Sequence, residues 1–228
     1  MIYMNEKSHD VSFLPLLVRD GSLTTSRIID AFRAIQRKDF VRVEDRARAE
    51  MNIALPLYEG QTVSQPLVVA RMLELLAPKS GEKILEIGSG SGWQTALLAE
   101  CVEGVPPHQG KVITMERILS LKKITEQNVA RYHFLEKGIV KIIHGDGREG
   151  YLQDAPYNHI IVNAAAPMIF QAWKEQVMVG GRIVAPLEES IVVLQKKSSA
   201  EFIERRYFGF RLAPLLSGTV DNSPLLTT

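Results

Sequence analysis

The sequence predicts an α/β protein with a doubly wound, mostly parallel sheet and an N-terminal helical extension. Strand-like and helix-like segments alternate through the middle of the chain, a pattern typical of βαβ units with helices on both faces of a sheet. One apolar run, 83–87, ends in a G-x-G-x-G turn that begins at Gly88 and continues into an apolar, helix-like segment. A strand that leads into a helix through a glycine loop is how such folds hold a nucleotide-like ligand.

Residues 1–55 are predicted to form the helical extension, packed on the main domain. Thr25 or Ser26 can cap a helix, because both residue types are favoured at that position. The helix that follows would bury an apolar face made by Ile28, Phe32 and Ile35.

The main domain is predicted over residues 56–216. Its first helix spans 66–76, with Pro66 in the first turn, where proline is favoured. Strands are then expected at 83–87, 111–115, 140–144, 159–163, 181–185, 191–196 and 206–212. Helices are expected between them at 94–102, 117–135 and 168–178. The last strands follow one another too closely for a helical crossover, so they are expected to be antiparallel at the sheet edge. Residues 217–228 are expected to form a flexible tail.

Composition excludes several classes of protein. The 228 residues are 46% hydrophobic and 23% charged, which is ordinary for a globular domain. With a formal net charge of +1 and scattered basic residues, no nucleic-acid partner is expected. The lone Cys101 excludes an internal disulfide, and no segment reaches membrane-spanning length. We expect a cytoplasmic protein, more often monomeric than not, with no membrane partner and, since the histidines are isolated, no metal site.

The glycine loop favours a particular ligand. Glycines at this turn let the backbone bend sharply and approach the ligand closely. A dinucleotide fingerprint would need a third glycine where Trp93 stands, and Glu86 inside the strand would repel a pyrophosphate. S-adenosylmethionine (SAM), with a cationic end and an adenosine, suits the loop better. The alternative is a glycine turn in some other α/β protein.

Acidic residues also follow the next two predicted strands. Glu116 can accept hydrogen bonds from both ribose hydroxyls, although it could simply favour the start of a helix. Asp146, in a Gly-Asp-Gly turn, is a candidate for reading the adenine amino group. The full set of predicted cofactor-binding residues is Glu86, Gly88, Ser89, Gly90, Gly92, Glu116, Arg117, Asp146 and Gly147.

Several segments resemble one family, the protein-L-isoaspartate (D-aspartate) O-methyltransferases. The most specific are Leu55-Pro-Leu-Tyr-Glu-Gly-Gln-Thr-Val-Ser-Gln-Pro66 and Ala164-Ala-Ala-Pro167. Others are the glycine loop, Gly145-Asp-Gly-Arg148, Ala155-Pro-Tyr157 and Gly180-Gly-Arg-Ile-Val-Ala-Pro186. The resemblance extends from about residue 20 to about residue 215. It implies a class I, Rossmann-like SAM-dependent methyltransferase fold.

The resemblance also implies an activity, the methylation of the α-carboxylate of L-isoaspartyl residues in damaged proteins or peptides. It implies that Ser64 orients the acceptor as the catalytic residue, although Ser64 could equally cap the helix that begins near Pro66. The acceptor would lie against Thr62, Val63, Asn163, Ala164, Ala165 and Pro167.

Most departures from the family pattern lie on the acceptor side. Asn52 stands where an acidic residue is expected, Tyr58 replaces a glycine, and Leu216 replaces a hydroxyl residue. Asn163 stands where threonine or glycine is common. These changes leave two alternatives open, namely a methyltransferase of the same fold with another carboxylate or small-molecule acceptor, and a non-catalytic SAM-binding module.

Overall fold

The computed structural model describes residues 12–221. Its strands are β1 (Leu55–Pro56), β2 (Thr62–Val63), β3 (Lys83–Ile87), β4 (Lys111–Glu116), β5 (Val140–His144), β6 (Tyr157–Val162), β7 (Val177–Leu187), β8 (Ser190–Lys196) and β9 (Phe202–Phe208). Its α-helices are α1 (Phe13–Arg19), α2 (Ser26–Ala34), α3 (Pro66–Leu76), α4 (Trp93–Val102), α5 (Leu119–Ala130) and α6 (Gln171–Gln176). Among these residues, no helix is both long enough and apolar enough to cross a membrane.

A seven-stranded sheet in the order β5-β4-β3-β6-β7-β8-β9 organises the molecule. The first five strands of that order are parallel, and β8 and β9 are antiparallel, as the sequence predicted for the sheet edge. β3 is the middle one of the five parallel strands, and its residues 84–87 are buried because helices or loops cover both faces of the sheet. The carboxyl ends of β3, β4 and β6 therefore meet at one edge, where a ligand is expected in such folds.

The N-terminal helices share one hydrophobic core with the sheet. Phe13 of α1, Phe32 of α2 and Trp93 of α4 meet edge to face, with ring centroids 5.7 to 6.1 Å apart. The same buried cluster includes Ile84 of the central strand and Leu73 of α3. The helical packing predicted for the first 55 residues is thus observed for the part that the structure describes, whereas the division into domains stays a prediction.

Two element boundaries differ from the sequence prediction around the seventh strand. The helix expected over 168–178 is confined to Gln171–Gln176, and β7 begins at Val177. A strand was expected only over 181–185, but β7 passes through Gly180-Gly181, with an irregular register against β6 between Tyr157 and His159. Gly181 leaves no room for a Cβ, which would lie 2.3 Å from the carbonyl oxygen of Asn158. The glycines therefore permit close strand contact at a bulge.

The position predicted for the last strand was also wrong. It was expected over 206–212 but spans Phe202–Phe208, where it pairs with β8 along its whole length. Charged side chains at 204–206 masked the strand pattern, because an edge strand tolerates them. The helix expected over 117–135 ends at Ala130, and turns with His133 at a positive φ of 61° follow it.

The first residues of the segment that was expected to be a flexible tail form hydrogen bonds with the main domain. The backbone N–H of Val220 donates to Arg117 (2.8 Å), and Leu119 donates back to Val220 (3.0 Å). The Arg117 side chain donates to the carbonyls of Ser217 (3.2 Å) and Gly218 (2.9 Å). These bonds hold 217–220 against the end of β4, while 222–228 lie outside the described residues.

Candidate active site

A cavity of about 260 Å³ lies at the carboxyl ends of the central strands. Its walls come from the glycine loop, the residues after β4 and β6, and two segments distant in sequence, 61–65 and 211–216. Of the residues predicted for the site, the cavity is lined by Thr62, Val63, Ser64, Gly88, Ser89, Gly90, Glu116, Arg117, Gly147, Asn163 and Ala164. The remaining ones, Glu86, Gly92, Asp146, Ala165 and Pro167, do not line it.

The glycine loop has the backbone that its sequence predicts. Gly88, Gly90 and Gly92 adopt φ values of 88°, 56° and 85°, a left-handed region that other residues avoid. Gly92 immediately precedes α4, and a Cβ there would lie 3.1 Å from side-chain carbons of Thr125 and Val129. The loop is thus held against α5 while Gly88 and Gly90 remain along the cavity wall.

Glu116 contributes a carboxylate to the cavity lining. One carboxylate oxygen accepts from the N–H of Gly90 at 3.0 Å, and the other accepts from Ile118 at 3.0 Å. Burial raises the pKa of this carboxyl, and these backbone N–H groups oppose the rise. Each oxygen retains a lone pair for a further donor, so the side chain suits a ligand diol.

Glu86 lies beneath the loop rather than in the cavity. Its side chain is fully buried and accepts hydrogen bonds from Thr95 (2.5 Å) and Asn163 (2.9 Å). Asn163 also donates to the carbonyl of Gly88 at 2.9 Å and accepts from Gln94 at 2.5 Å. Glu86 is therefore positioned to fix the loop and Asn163, and any direct contact with a ligand stays a prediction.

Burial raises the pKa of Glu86 from 4.5 to about 7. Between these values the folded protein keeps a proton that the unfolded chain has released, so the free energy of unfolding falls as pH rises, by at most about 1.4 kcal/mol per pH unit. At pH values above the pKa of the folded protein, Glu86 is ionised in both the folded and the unfolded state, and its titration lowers the free energy of unfolding no further. Glu86→Gln, which resembles the protonated acid, is expected to become more stable relative to wild type as pH rises through this window. Urea unfolding from about pH 5 to pH 8 measures it, and a constant difference would contradict the assignment.

Asp146 turns its carboxylate to protein partners. It accepts from Nε and Nη2 of the Arg148 guanidinium at 2.7 to 3.1 Å, from the backbone N–H of Arg148 at 3.0 Å and from the backbone N–H of Gly218 at 2.7 Å. Partial burial raises its pKa, but these donors outweigh that effect and lower the pKa to about 2. Its neighbours Gly145 and Gly147 line the cavity instead. The adenine role predicted for Asp146 is untested.

Ser64 lines the same cavity, two residues before α3 begins. The helix is capped at Gln65 without a side-chain hydrogen bond, so the capping alternative for Ser64 is not seen. The Ser64 hydroxyl bonds to no other side chain or backbone group among residues 12–221, although the Ser64 carbonyl accepts from Arg37. The hydroxyl is therefore available to a ligand.

Arg37 was missed as a site residue by sequence reasoning. Only 1% of it is exposed, and its guanidinium donates to five carbonyls, those of Ala49, Met51, Ile53, Val63 and Ser64, at 2.8 to 3.4 Å. It also lies 5.0 Å over the ring of Trp93, which lines the cavity. Burial lowers its pKa to about 10, so it stays charged at neutral pH. Arg37 thus joins the Ser64 segment to the residue that follows the glycine loop.

A C-terminal strap, residues 210–220, was also missed. Ala165 donates to Ala213 at 2.7 Å and accepts from Leu215 at 2.8 Å, which places 211–216 along the cavity. Ala165 therefore contributes through its backbone, which positions the strap. The strap carries Arg211 and Leu216 into the cavity lining.

Two acceptor-side departures do not enter the cavity. The Asn52 side chain accepts from the backbone N–H of Leu67 at 3.0 Å, so it satisfies a donor in the first turn of α3. Tyr58 was expected near the acceptor, but it packs against the hydrophobic core and is not part of the lining. Asn163 and Leu216 do line the cavity, which agrees with the expectation that these departures from the family pattern lie on the acceptor side.

Comparisons with known proteins place this geometry in context. The profile of the family described as protein-L-isoaspartate(D-aspartate) O-methyltransferase (PCMT) matches residues 9–219. Protein-L-isoaspartate O-methyltransferase of Aeropyrum pernix is 38% identical over 204 residues, 88% of this chain and 76% of that protein. The protein of the same name from Pyrobaculum islandicum is 40% identical over 192 residues, 83% of this chain and 90% of the relative.

Solved structures agree on the fold. A Plasmodium falciparum structure, named as a beta-aspartate methyltransferase (PCMT) in complex with S-adenosyl-L-homocysteine, has a TM-score of 0.80. It is 22% identical and covers 94% of this chain and 99% of its own. A second structure, named protein-L-isoaspartate O-methyltransferase, has a TM-score of 0.79 at 25% identity and covers 90% of this chain and 65% of its own.

Proposed function

Because this chain belongs to the protein-L-isoaspartate(D-aspartate) O-methyltransferase family, we propose that its cavity joins SAM to the α-carboxylate of an L-isoaspartyl residue in a damaged protein or peptide. The enzyme is a SAM-dependent methyltransferase of protein repair. The observation that supports the acceptor assignment is that Ser64 lines the same cavity as the glycine loop and Glu116, while its hydroxyl has no hydrogen-bond partner among residues 12–221.

The residues of the cavity fit the cofactor. The turns at Gly88 and Gly90 leave backbone open to a close ligand, and the Glu116 carboxylate offers acceptors for ribose hydroxyls. The cavity also has apolar surface from Ile87 and Met115 beside these polar groups. When bound, SAM supplies a methyl group on a cationic sulfur. Glu86 holds Asn163 against the loop and so keeps this wall in place.

The acceptor needs orientation more than activation. A carboxylate is already ionised and nucleophilic at neutral pH, so no strong general base is required. A hydrogen bond donated by the Ser64 hydroxyl can hold one carboxylate oxygen and leave the other aimed at the methyl group. Arg37 fixes the Ser64 carbonyl at 2.9 Å and thereby limits the movement of that hydroxyl.

Exclusion of water is the second contribution of the protein. The strap closes one side of the cavity by backbone bonds to Ala165 and by the Arg117 side chain, which donates to Ser217 and Gly218. Transfer joins an anion to a cation and dissipates both charges, so a drier site strengthens the interactions that align them.

Cofactor affinity tests the role of Glu116. Glu116→Gln loses the charge and one of the acceptors now used by Gly90 and Ile118, and we expect SAM affinity to fall about tenfold or more. Calorimetric titration with SAM measures the change. The matched control is Glu126→Gln, which removes only a pair with Lys122 on α5 and is expected to leave affinity unchanged. Equal affinities for the two variants would contradict the assignment.

Repair itself can be followed by chromatography. The methyl ester formed on an isoaspartyl peptide collapses to a succinimide, whose hydrolysis returns part of the peptide to normal aspartate. Incubation with SAM is therefore expected to convert isoaspartyl peptide into succinimide and aspartyl peptide. Methylation of another carboxylic acid, with the isoaspartyl peptide unchanged, would favour a different acceptor, for which Asn163 and Leu216 in the lining would be the cause.

Location and assembly stay predictions. The single cysteine, Cys101, is buried and free, which supports a reducing compartment such as the cytoplasm. A formal net charge of +1 supports the absence of a nucleic-acid partner. We also propose that the protein is a monomer, and light scattering can measure its oligomeric state.

A further inference from the structure

A second concave site lies at the far end of α3, where this helix crosses β7, β8 and β9. It has a volume of about 220 Å³ and shares no lining residue with the large cavity. Leu75 is nine residues beyond Pro66 on α3, so the site is about 14 Å along the helix from the Ser64 end. This distal pocket is defined by its lining residues, Glu74, Leu75, Arg182, Val193, Gln195, Ile203, Arg205 and Tyr207.

Strand register brings the polar side chains of the distal pocket together. Arg182 of β7 is opposite Gln195 of β8, which is opposite Ile203 of β9. Directly opposite residues have side chains on the same face of a sheet. Arg205, two residues beyond Ile203, is therefore on this face too. Tyr207 is next in the row, and the guanidinium of Arg71 lies 5.0 Å over its ring.

The arginines at this site form no ion pair among residues 12–221. Arg182 donates one bond, to the carbonyl of Leu75 at 3.0 Å, whereas Arg71 and Arg205 form no ion pair within that part of the chain. Glu74 also lines the pocket. Burial raises the pKa of its carboxyl, but hydrogen bonds from Thr24 and Thr25 to both oxygens outweigh burial and lower it. Glu74 is therefore ionised, and its single negative charge faces the positive charges of three arginines, Arg71, Arg182 and Arg205.

The contrast with Arg206 on the same strand is informative. Arg206 is on the opposite face of β9 and pairs with Glu204 at 2.7 Å and with Glu188 at 3.9 Å. The charges of β9 are thus paired on one face, whereas on the face of the distal pocket Arg205 forms no ion pair and Glu74 offsets only part of the positive charge. Neighbouring like charges repel one another, and an anion bound between them removes that cost.

We propose that the distal pocket binds a phosphoryl group. A phosphoryl group carries nearly two negative charges at neutral pH and three acceptor oxygens, which matches several guanidinium groups better than one carboxylate does. Arginine is the residue best suited to such contacts, because its planar fork donates two parallel bonds. Gln195 and the Tyr207 hydroxyl add neutral donors, while Leu75 and Ile203 can contact an apolar body attached to the phosphate.

Calorimetric titration of the S-adenosyl-L-homocysteine-saturated protein with inorganic phosphate, at constant ionic strength, tests the proposal. Saturation blocks any phosphate binding in the cofactor cavity. The variants are Arg205→Ala and its matched control Arg206→Ala, both with exposed side chains whose loss spares the core. Saturable binding is expected in wild type and Arg206→Ala, and about tenfold or greater weakening in Arg205→Ala.

Two further titrations, with other phosphorylated compounds, identify the source of the phosphoryl group. Uridine monophosphate represents a free nucleotide, and a phosphoserine peptide represents a modified protein. Tighter binding of either one than of inorganic phosphate, with the same dependence on Arg205, supports the pocket and names its ligand class. Absence of saturable binding in all three titrations, or equal weakening by both substitutions, would overturn the proposal.

Discussion

Replacement of Ser64 by alanine is expected to lower kcat/KM for an isoaspartyl peptide about 10- to 100-fold, the effect of one lost hydrogen bond to a charged group. The reason is that Ser64 lines the cavity and that its hydroxyl is not used by the helix cap of α3. SAM affinity is expected to stay unchanged, because we propose that Glu116 and the glycine loop, rather than Ser64, hold the cofactor. Steady-state kinetics and calorimetric titration measure the two quantities.

A matched control for this substitution is Thr62→Ala. Thr62 also carries a hydroxyl and lines the same segment, but it is exposed and two residues before Ser64. We expect a smaller loss of kcat/KM from this variant. If Ser64→Ala retained full activity, or lost activity only in proportion to a loss of SAM affinity, the acceptor role of Ser64 would be wrong.

Replacement of Arg37 by methionine is expected to destabilise the protein by about 3 to 5 kcal/mol, the range seen when a buried charged network loses one partner. Five carbonyls would lose their common donor, while the apolar stem would remain. Because two of those carbonyls belong to Val63 and Ser64, KM for the isoaspartyl peptide is expected to rise as well. Urea unfolding and kinetics at low denaturant measure both effects.

Arg37→Lys separates charge from geometry. Lysine keeps the charge but has a single nitrogen with three donors, so it cannot reach all five carbonyls, and we expect only partial recovery. Arg33→Met is the control, since Arg33 is exposed and pairs only with Asp30 on the surface, and its loss should cost less than about 0.5 kcal/mol. Equal destabilisation by Arg37→Met and Arg33→Met would contradict the role assigned to Arg37.

Local sequence patterns were sufficient to predict strand β3, the glycine loop after it and the place of Glu116 in the cavity lining. The run 83–87 and its glycines encode a strand, a turn and a helix start within 20 residues, and the structure has β3 at Lys83–Ile87 as predicted. Glu116 is the last residue of β4, at the same sheet edge, so the parallel order of the strands is enough to predict that it lies at the cavity. Such features depend on periodicity and on glycine conformation, both of which are local.

The orientation of Glu86 and the role of Arg37 could not be predicted in this way. Strand periodicity does not say whether a polar side chain bonds to neighbouring elements, and Glu86 is held by Thr95 and Asn163 beneath the loop. Arg37 is 26 residues from Val63, and in the sequence it is one basic residue in a charged stretch. Its burial results from tertiary packing against Trp93, for which the sequence carries no local signal.

The strap was missed for a related reason. Its bonds at Ala165, Ala213 and Leu215 come from the backbone, so side-chain composition does not reveal them. Residues 206–212 were expected to form a strand, and residues 213–220 contain a proline, a glycine and no period of 2 or 3.6, which favours a loop prediction. Only the fold shows that this segment runs along the cavity.

Transfer of a labelled methyl group from SAM tests the central claim most directly. The acceptors are a synthetic L-isoaspartyl peptide and its normal aspartyl twin, which differ only in the carboxylate that the backbone leaves free. The account predicts label in the isoaspartyl peptide alone, as a base-labile ester, with the transfer reduced in Ser64→Ala. Equal labelling of both peptides, or labelling of neither by a protein that binds SAM, would contradict it.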